Sequence, residues 1–305
     1  MKRLTLPIVL VALGCLALGG TAVAQDAEGP APQSPLAGLA AEHQEDVALE
    51  EDALEALAQD AAALEAAALA KAAQNPLASL VTLPLQANYN LGTGPYDRTF
   101  FNLNVQPVVP IAGEKWNVIT RTIIPLNSVP TGQTDSTFGV GDTTLQLLFS
   151  PAKGSSFTWG LGPVFGLPTA SNPEILGSGK WGLGPAGVVF FQTGRWTMGG
   201  LVSNTWSVAG ADDRDAYNRF VLQCFVNNNF GGGWAVGSVP IVTADWKAEP
   251  GQRWTIPWGL QVSKVTRIAG QPVNLLAGYY WNSTHPDGGA ESQVRLQLNF
   301  MFPNK

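Results

Sequence analysis

Residues 81–91 read VTLPLQANYNL. Val81, Leu83, Leu85, Ala87, Tyr89 and Leu91 alternate with Thr82, Pro84, Gln86, Asn88 and Asn90. Apolar residues at every second position mark a strand with one apolar and one polar face. In a soluble sheet the apolar face would turn inward. In a membrane barrel it would turn out to lipid, so the rest of the chain has to decide between the two.

The same alternation continues to the C-terminus. It predicts strands near 79–91, 98–110, 115–126, 139–150, 156–169, 180–193, 195–208, 217–230, 233–247, 253–264, 271–282 and 291–302. Most exceed the mean soluble strand of about 5–6 residues and suit a tilted bilayer crossing. Longer connections such as NSVPTGQTDST and TASNPEILGSG alternate with short ones such as AGE and FGG. Long loops at one end and short turns at the other are the outer-membrane barrel pattern.

The polar face carries Asn102, Asn104 and Gln106 in one strand, and Arg295, Gln297 and Asn299 in another. A face exposed to bulk solvent would carry more Lys and Glu, so uncharged amides suit a crowded, wet lumen better. Trp116, Trp196 and Trp234 fall at the short-turn ends of their strands. Trp181, Trp206, Trp246, Trp254 and Trp281 fall at the long-loop ends. These eight form an expected aromatic girdle at both interfaces. Trp159 lies near the lower belt, and Trp258 is the mid-strand exception. The expected fold is therefore all-β: a transmembrane antiparallel up-and-down β-barrel of about 12 strands over 77–305, preceded by an acidic α-helical segment.

The N-terminus reads as a secretory signal over 1–24, with Lys2 and Arg3, an apolar core and Ala22-Val23-Ala24 before cleavage. A lipoprotein reading at Cys15 lacks a large aliphatic residue three positions earlier, where Ala12 stands. Residues 25–35 form a Pro-rich linker. Residues 36–76 are Ala-, Leu- and Glu-rich and read as a helix, with an apolar seam through Leu54, Leu57, Ala61, Leu64 and Ala68. That helix is expected to be periplasmic, to plug the lumen, or to self-associate through residues 36–74. Residues 25–76 hold eleven acids against Lys71, while 77–305 hold twelve acids and fourteen bases. The overall charge of −6 thus sits in the helical segment, and no basic stripe for nucleic acid exists.

Strand parity places Arg121, Asp142, Arg219, Asp245 and Arg295 in the lumen, with Lys180 at the mouth. These are candidates for selectivity or for pairing across the wall. Gly160, Gly162, Gly166, Gly182, Gly184 and Gly199 place small residues inward on neighbouring strands, forming a groove for a loop, the helix or an elongated solute. Alternatively they ease curvature and close packing.

No catalytic constellation is expected. His43 and His285 lie off the strands, and nucleophilic catalysis needs a base beside its nucleophile. Asp142 and Asp245 could pair only as a remote protease site. Asp212, Asp213 and Asp215 lack the spacing of a calcium loop, so neither a metal site nor a cofactor is expected. Cys224 reads as an inert apolar residue.

The stretches NPLASLVTLPLQANYNLGTGP, NVQPVVPI, WNVITRTIIP, FGVGDTTLQLLFSP, LGSGKWGLGP and LNFMFP resemble a bacterial outer-membrane family linked to the meta pathway of phenol degradation. Its members often carry the label neuromedin U in error. The resemblance spans about 77–305, leaves out the helix and brings no catalytic residue. It implies a barrel in the Gram-negative outer membrane and a transport role, with small hydrophobic or aromatic compounds as candidate solutes. The expected function is passive passage of small solutes. A closed barrel anchoring a periplasmic helix is the alternative, and an outer-membrane enzyme the third reading. Expected partners are outer-membrane lipids and lipopolysaccharide, the barrel-assembly machinery (through the aromatic-ended last strand VRLQLNFMF) and the solute. An even strand count puts both termini in the periplasm.

Overall fold

The computed structural model describes residues 35–153 and 156–303, with side chains from Leu49 onward. The expected signal peptide and most of the linker lie outside the described residues. Fifteen strand segments pair antiparallel in a single sheet. They are β1 (Val81–Thr93), β2 (Arg98–Val105), β3 (Val108–Ile111), β4 (Trp116–Pro130), β5 (Ser136–Val140), β6 (Thr143–Pro151), β7 (Phe157–Leu167) and β8 (Lys180–Thr193). The remainder are β9 (Trp196–Gly210), β10 (Asn218–Gly231), β11 (Trp234–Ser238), β12 (Ile241–Asp245), β13 (Trp254–Ile268), β14 (Gln271–Thr284) and β15 (Ser292–Phe302).

Three staves are each broken once, so the fifteen segments make a closed barrel of twelve. The first and last strands close it, with an unbroken register from Val81 opposite Phe302 to Leu91 opposite Ser292. The breaks fall at Gln106-Pro107, Gly141-Asp142 and Val239-Pro240. Proline cannot donate to the ladder, so Pro107 and Pro240 interrupt it locally.

The connections sort by end. Those at 94–97, 131–135, 168–179, 211–217, 246–253 and 285–291 are mostly the longer set. Those at 112–115, 152–156, 194–195, 232–233 and 269–270 are mostly short turns. In the 269–270 turn, Ala269 and Gly270 both take positive φ (49° and 80°), the geometry of a two-residue hairpin matched to strand twist.

The opening question is settled by exposure. Gln86 and Asn88 are buried inside the barrel, while Tyr89 on the alternate parity is exposed. Leu161, Leu183, Val202, Leu260, Tyr279 and Leu296 are exposed on the same outer surface. Trp116, Trp181, Trp196, Trp206, Trp234, Trp246 and Trp281 are exposed toward the strand ends. Trp254 is more enclosed, packed edge-on against Trp246 and Phe220. An outer wall this apolar matches hydrocarbon, not water.

Helix α1 covers Pro35–Gln74. Residues 35–55 fall in one compact unit, and 56–74 belong with the barrel. Leu49, Leu54, Leu57 and Leu64 are exposed. From Ala66 onward most side chains are half-buried or buried, with Ala68 still exposed. Ala70 and Leu80 pack with Val265 and Met301, and Leu77 joins Ile119, Leu148, Val164, Ala186, Val188 and Leu201 in the main apolar core. The barrel core is thus completed by residues that precede the first strand.

Candidate functional site: the lumen

The lumen holds two chambers. One, of about 170 Å³, lies against the end of α1 and is bounded there by Ala72–Pro76. The other, of about 240 Å³, lies toward the long loops and reaches Asp142, Tyr217 and Arg219. Gln86, Gln106, Arg121, Leu201 and Gln223 line both. These five form the ring at which the chambers meet.

An amide network builds the ring. Gln86 Nε2 donates to Asn88 Oδ1 at 3.1 Å, and Asn88 Nδ2 donates to Asn102 Oδ1 at 3.0 Å. Asn102 Nδ2 donates to Asn127 Oδ1 at 2.7 Å. Gln106 Nε2 reaches Gln86 Oε1 at 3.4 Å. Arg121 closes the chain, donating from Nη2 to Gln106 Oε1 at 2.7 Å and from Nη1 to Gln146 Oε1 at 3.3 Å. Asn and Gln each carry donors and an acceptor, so such a network satisfies itself without charge.

The lumen charges do not pair with one another. An ion pair joins Arg267 of the wall to Glu65 of α1, outside the lumen. Arg219 stands directly across the strands from Asp245, yet its guanidinium lies over the Tyr217 ring at 4.6 Å. Asp245 Oδ1 instead accepts from Lys247 N at 3.0 Å. Asp142 accepts from Ser178 N at 2.6 Å, Ser178 Oγ at 2.7 Å and Ala170 N at 3.2 Å, pinning the 168–179 loop over the mouth. Arg214 holds that loop from the next one, donating to the carbonyls of Pro173, Gly177 and Ser178. Lys180 opens β8 at the same mouth, half-buried. Arg295 donates from Nη1 to Val239 O and from Nη2 to Gln293 Oε1, both at 2.9 Å, and lies over Tyr280 at 4.5 Å. The carboxylates serve the loops, and the guanidiniums are left facing the lumen.

The six inward glycines have separate roles. A Cβ on Gly160 would meet Leu77 at 3.1 Å, so this glycine seats the residue that follows the helix. Gly166 and Gly182 make room for the Tyr217 hydroxyl, at 2.6 and 2.0 Å from a notional Cβ. A Cβ on Gly199 would meet Val189 O at 2.2 Å and the Phe225 ring at 2.5 Å, so this glycine serves both the strand neighbour and the ring. Gly162 and Gly184 are not groove residues. Their Cβ atoms would fall 1.8 Å from Leu147 O and 1.7 Å from Asn204 O, so backbone crowding from the neighbouring strand explains them.

Sequence reasoning missed three contributors. Gln74 donates from Nε2 to Asn229 Oδ1 at 2.9 Å, accepts from Asn229 Nδ2 at 3.2 Å and accepts from Thr197 Oγ1, locking the helix end to the wall. Leu77 enters the core. Tyr280 donates to Gln261 Oε1 at 2.8 Å and accepts from Val239 N at 3.1 Å, which fixes the carbonyl side of Arg295. The signal for the last was available in Pro240, which breaks the stave and frees Val239. His285 Nδ1 contacts Pro286 O, and among the described residues no cluster of His, Cys, Asp and Glu could hold a metal.

The fold has solved counterparts. An outer membrane channel from Pseudomonas putida F1 superposes with a TM-score of 0.54 at 13% identity, over 73% of this chain and 96% of that one. At that identity the likeness establishes the fold alone. The NanC porin superposes with a TM-score of 0.48 at 9% identity, over 73% of this chain and 100% of that one. No curated protein matches the sequence. A family model described as "Putative MetA-pathway of phenol degradation" matches residues 99–298. With two thirds of its length inside that match, the chain belongs to this family.

Proposed function

We propose that the protein is a passive outer-membrane channel for small solutes, closed on its short-turn side by the segment from Ala72 to Leu80. The observation that carries this reading is the unfilled lumen: two chambers that meet at one polar ring. A barrel serving only as an anchor would gain stability by filling that space with side chains. Three glutamine amides and the Arg121 guanidinium, held by amides and not by a carboxylate, line the ring with Leu201, which favours polar, anion-bearing solutes over hydrophobic ones. Aromatic residues face lipid more than lumen, so the aromatic solutes implied by the family description draw little support from the lining.

The apolar wall and tryptophan ends support a place in the outer membrane. The even stave count supports both termini on the short-turn, periplasmic side. Contacts with lipid and lipopolysaccharide, and recognition of the last strand by the assembly machinery, follow from that placement.

Planar-bilayer recording of the refolded mature chain beside a form lacking residues 25–80, which ends just before β1, tests the proposal. The expected result is small or intermittent conductance from the whole chain and larger, steady conductance from the truncated one. Silence from both, with heat-modifiable mobility confirming folded barrels, would overturn it and leave the anchor.

A further inference from the structure

Lys264 stands on the wrong face for a charge. Cross-strand pairing sets it level with Trp234 of β11 and Leu275 of β14, both exposed on the outer wall. Among the described strands it is the only charged residue on that outward parity. An ionisable side chain facing hydrocarbon is costly and calls for a partner. The Lys264 ammonium lies over the Trp234 ring at 5.1 Å and donates to the Gly232 carbonyl. Among the described residues no carboxylate pairs with it, and Glu65 of α1 is taken by Arg267. Its positive charge is therefore left uncompensated at the membrane-facing surface. Trp234 follows directly on the 232–233 turn, so the pair sits at the short-turn edge of the apolar band, the level of lipid headgroups.

A groove of about 570 Å³ runs from this pair across the outer wall. It crosses β11, β13, β14, β15 and β1, and every outward side chain lining it apart from Lys264 is apolar. Ala277 and Ala87 flank Leu296 in one row, and their small side chains leave the wall low there. Tyr279 and Tyr89, two residues further along the same face, stand exposed beyond it. Four steps between neighbouring strands, at about 4.8 Å each, give a reach of roughly 19 Å. Half of a bilayer's hydrocarbon core is about 15 Å, so the groove has the length of an acyl chain. Its polar end offers donors: the ammonium and the indole N–H of Trp234. Donors suit phosphate oxygens. They offer nothing to a choline or ethanolamine ammonium, and the Gly232 carbonyl already serves Lys264.

We infer that this groove binds one anionic glycerophospholipid, with its phosphate on Lys264 beside Trp234 and an acyl chain along the two alanines. The inference rests on the membrane placement proposed above. It adds a specific lipid site across the seam where β1 and β15 close the barrel.

Native mass spectrometry of the full mature chain in detergent tests it, with phosphatidylglycerol and phosphatidylcholine of the same acyl chains as probes. A single phosphatidylglycerol adduct is expected, at least fivefold more abundant than the phosphatidylcholine one. Lys264→Gln should bring phosphatidylglycerol down to the phosphatidylcholine level. Ala277→Trp should fill the groove and lower both adducts. Lys115→Gln, which removes a charge from the 112–115 turn, should leave the preference intact. Heat-modifiable mobility reports whether each variant is folded. Equal adducts of the two lipids on the parent chain, or an undiminished preference in folded Lys264→Gln, would overturn the inference. Steady conductance from the truncated chain without a lipid preference would sink the lipid site and spare the channel. A lipid preference lost in Lys264→Gln, in a chain that never conducts, would do the reverse.

Discussion

Replacing Leu77 with Ala should release the segment that closes the lumen. Leu77 is 6% exposed and packs among Ile119, Leu148, Val164, Val188 and Leu201. It is seated over Gly160, whose missing side chain makes the space. Truncating a buried Leu to Ala costs about 2–5 kcal/mol. The barrel strands stay hydrogen-bonded to one another, so most of that loss falls on docking of the segment. Taking about 3 kcal/mol, the docked-to-released ratio shifts by roughly a hundredfold. Gln74→Ala removes the bonds to Thr197 and Asn229. Each is worth about 1 kcal/mol, with a further penalty for the buried partners left behind. By contrast the Glu65–Arg267 pair has side chains 49–50% exposed, and such pairs contribute under about 1 kcal/mol. Single-channel recording should therefore show a large rise in open time for Leu77→Ala, a further rise when Gln74→Ala is added, and almost none for Arg267→Gln. Limited proteolysis near residues 72–80 should follow the same order. If the double variant gated like the parent while the chain lacking 25–80 conducted steadily, docking through Leu77 and Gln74 would not be what closes the lumen.

Asp142→Ala should loosen the 168–179 loop, because three donors lose a charged acceptor worth about 1.5–3 kcal/mol per bond at most. Protease cleavage in that loop should rise with no change in heat-modifiable mobility. Gly162→Ala and Gly184→Ala should each impair barrel assembly, since the added methyl would overlap a neighbouring carbonyl. The yield of folded, heat-modifiable protein measures this, and normal yield would refute the crowding argument. Arg121→Gln should lower anion over cation permeability in ion-substitution recordings, because it removes the charge at the ring that lines both chambers.

The barrel was legible in the sequence because its signals are periodic. Tyr89 and Gln86 declare opposite faces within one strand, and the alternation of long and short connections repeats that statement around the barrel. Arg121, Arg219 and Arg295 were placed in the lumen by parity alone. Their partners were not readable, because strand parity says which way a side chain points and nothing about what stands across a lumen. Asp142 could as well have met Arg121 as the backbone of a loop 28–36 residues away. The roles of Gln74 and Leu77 were hidden for a different reason. Gln74 is the last residue of α1 and Leu77 lies just beyond it, where the helical period runs out and the strand period has not begun, and only the closed barrel brings Thr197 and Asn229 to Gln74.

The three breaks in the staves connect fold to site. A barrel of regular strands offers only side chains to its lumen, since every backbone group is spent on the ladder. Val239, just before Pro240, leaves that ladder and gives its N–H to Tyr280 and its carbonyl to Arg295. At the first break, Gln106 takes the Arg121 guanidinium. At the second, Asp142 turns to the loop over the mouth. Interruptions of this kind cost ladder bonds and recur where a side chain must be re-aimed. Here they supply acceptors that hold Arg121 and Arg295 in place without neutralising them. Carboxylates in those positions would grip the guanidiniums harder and cancel the field they present to the lumen. The breaks therefore account for two features at once: arginines rigid enough to line a narrow passage, and arginines still charged toward whatever passes.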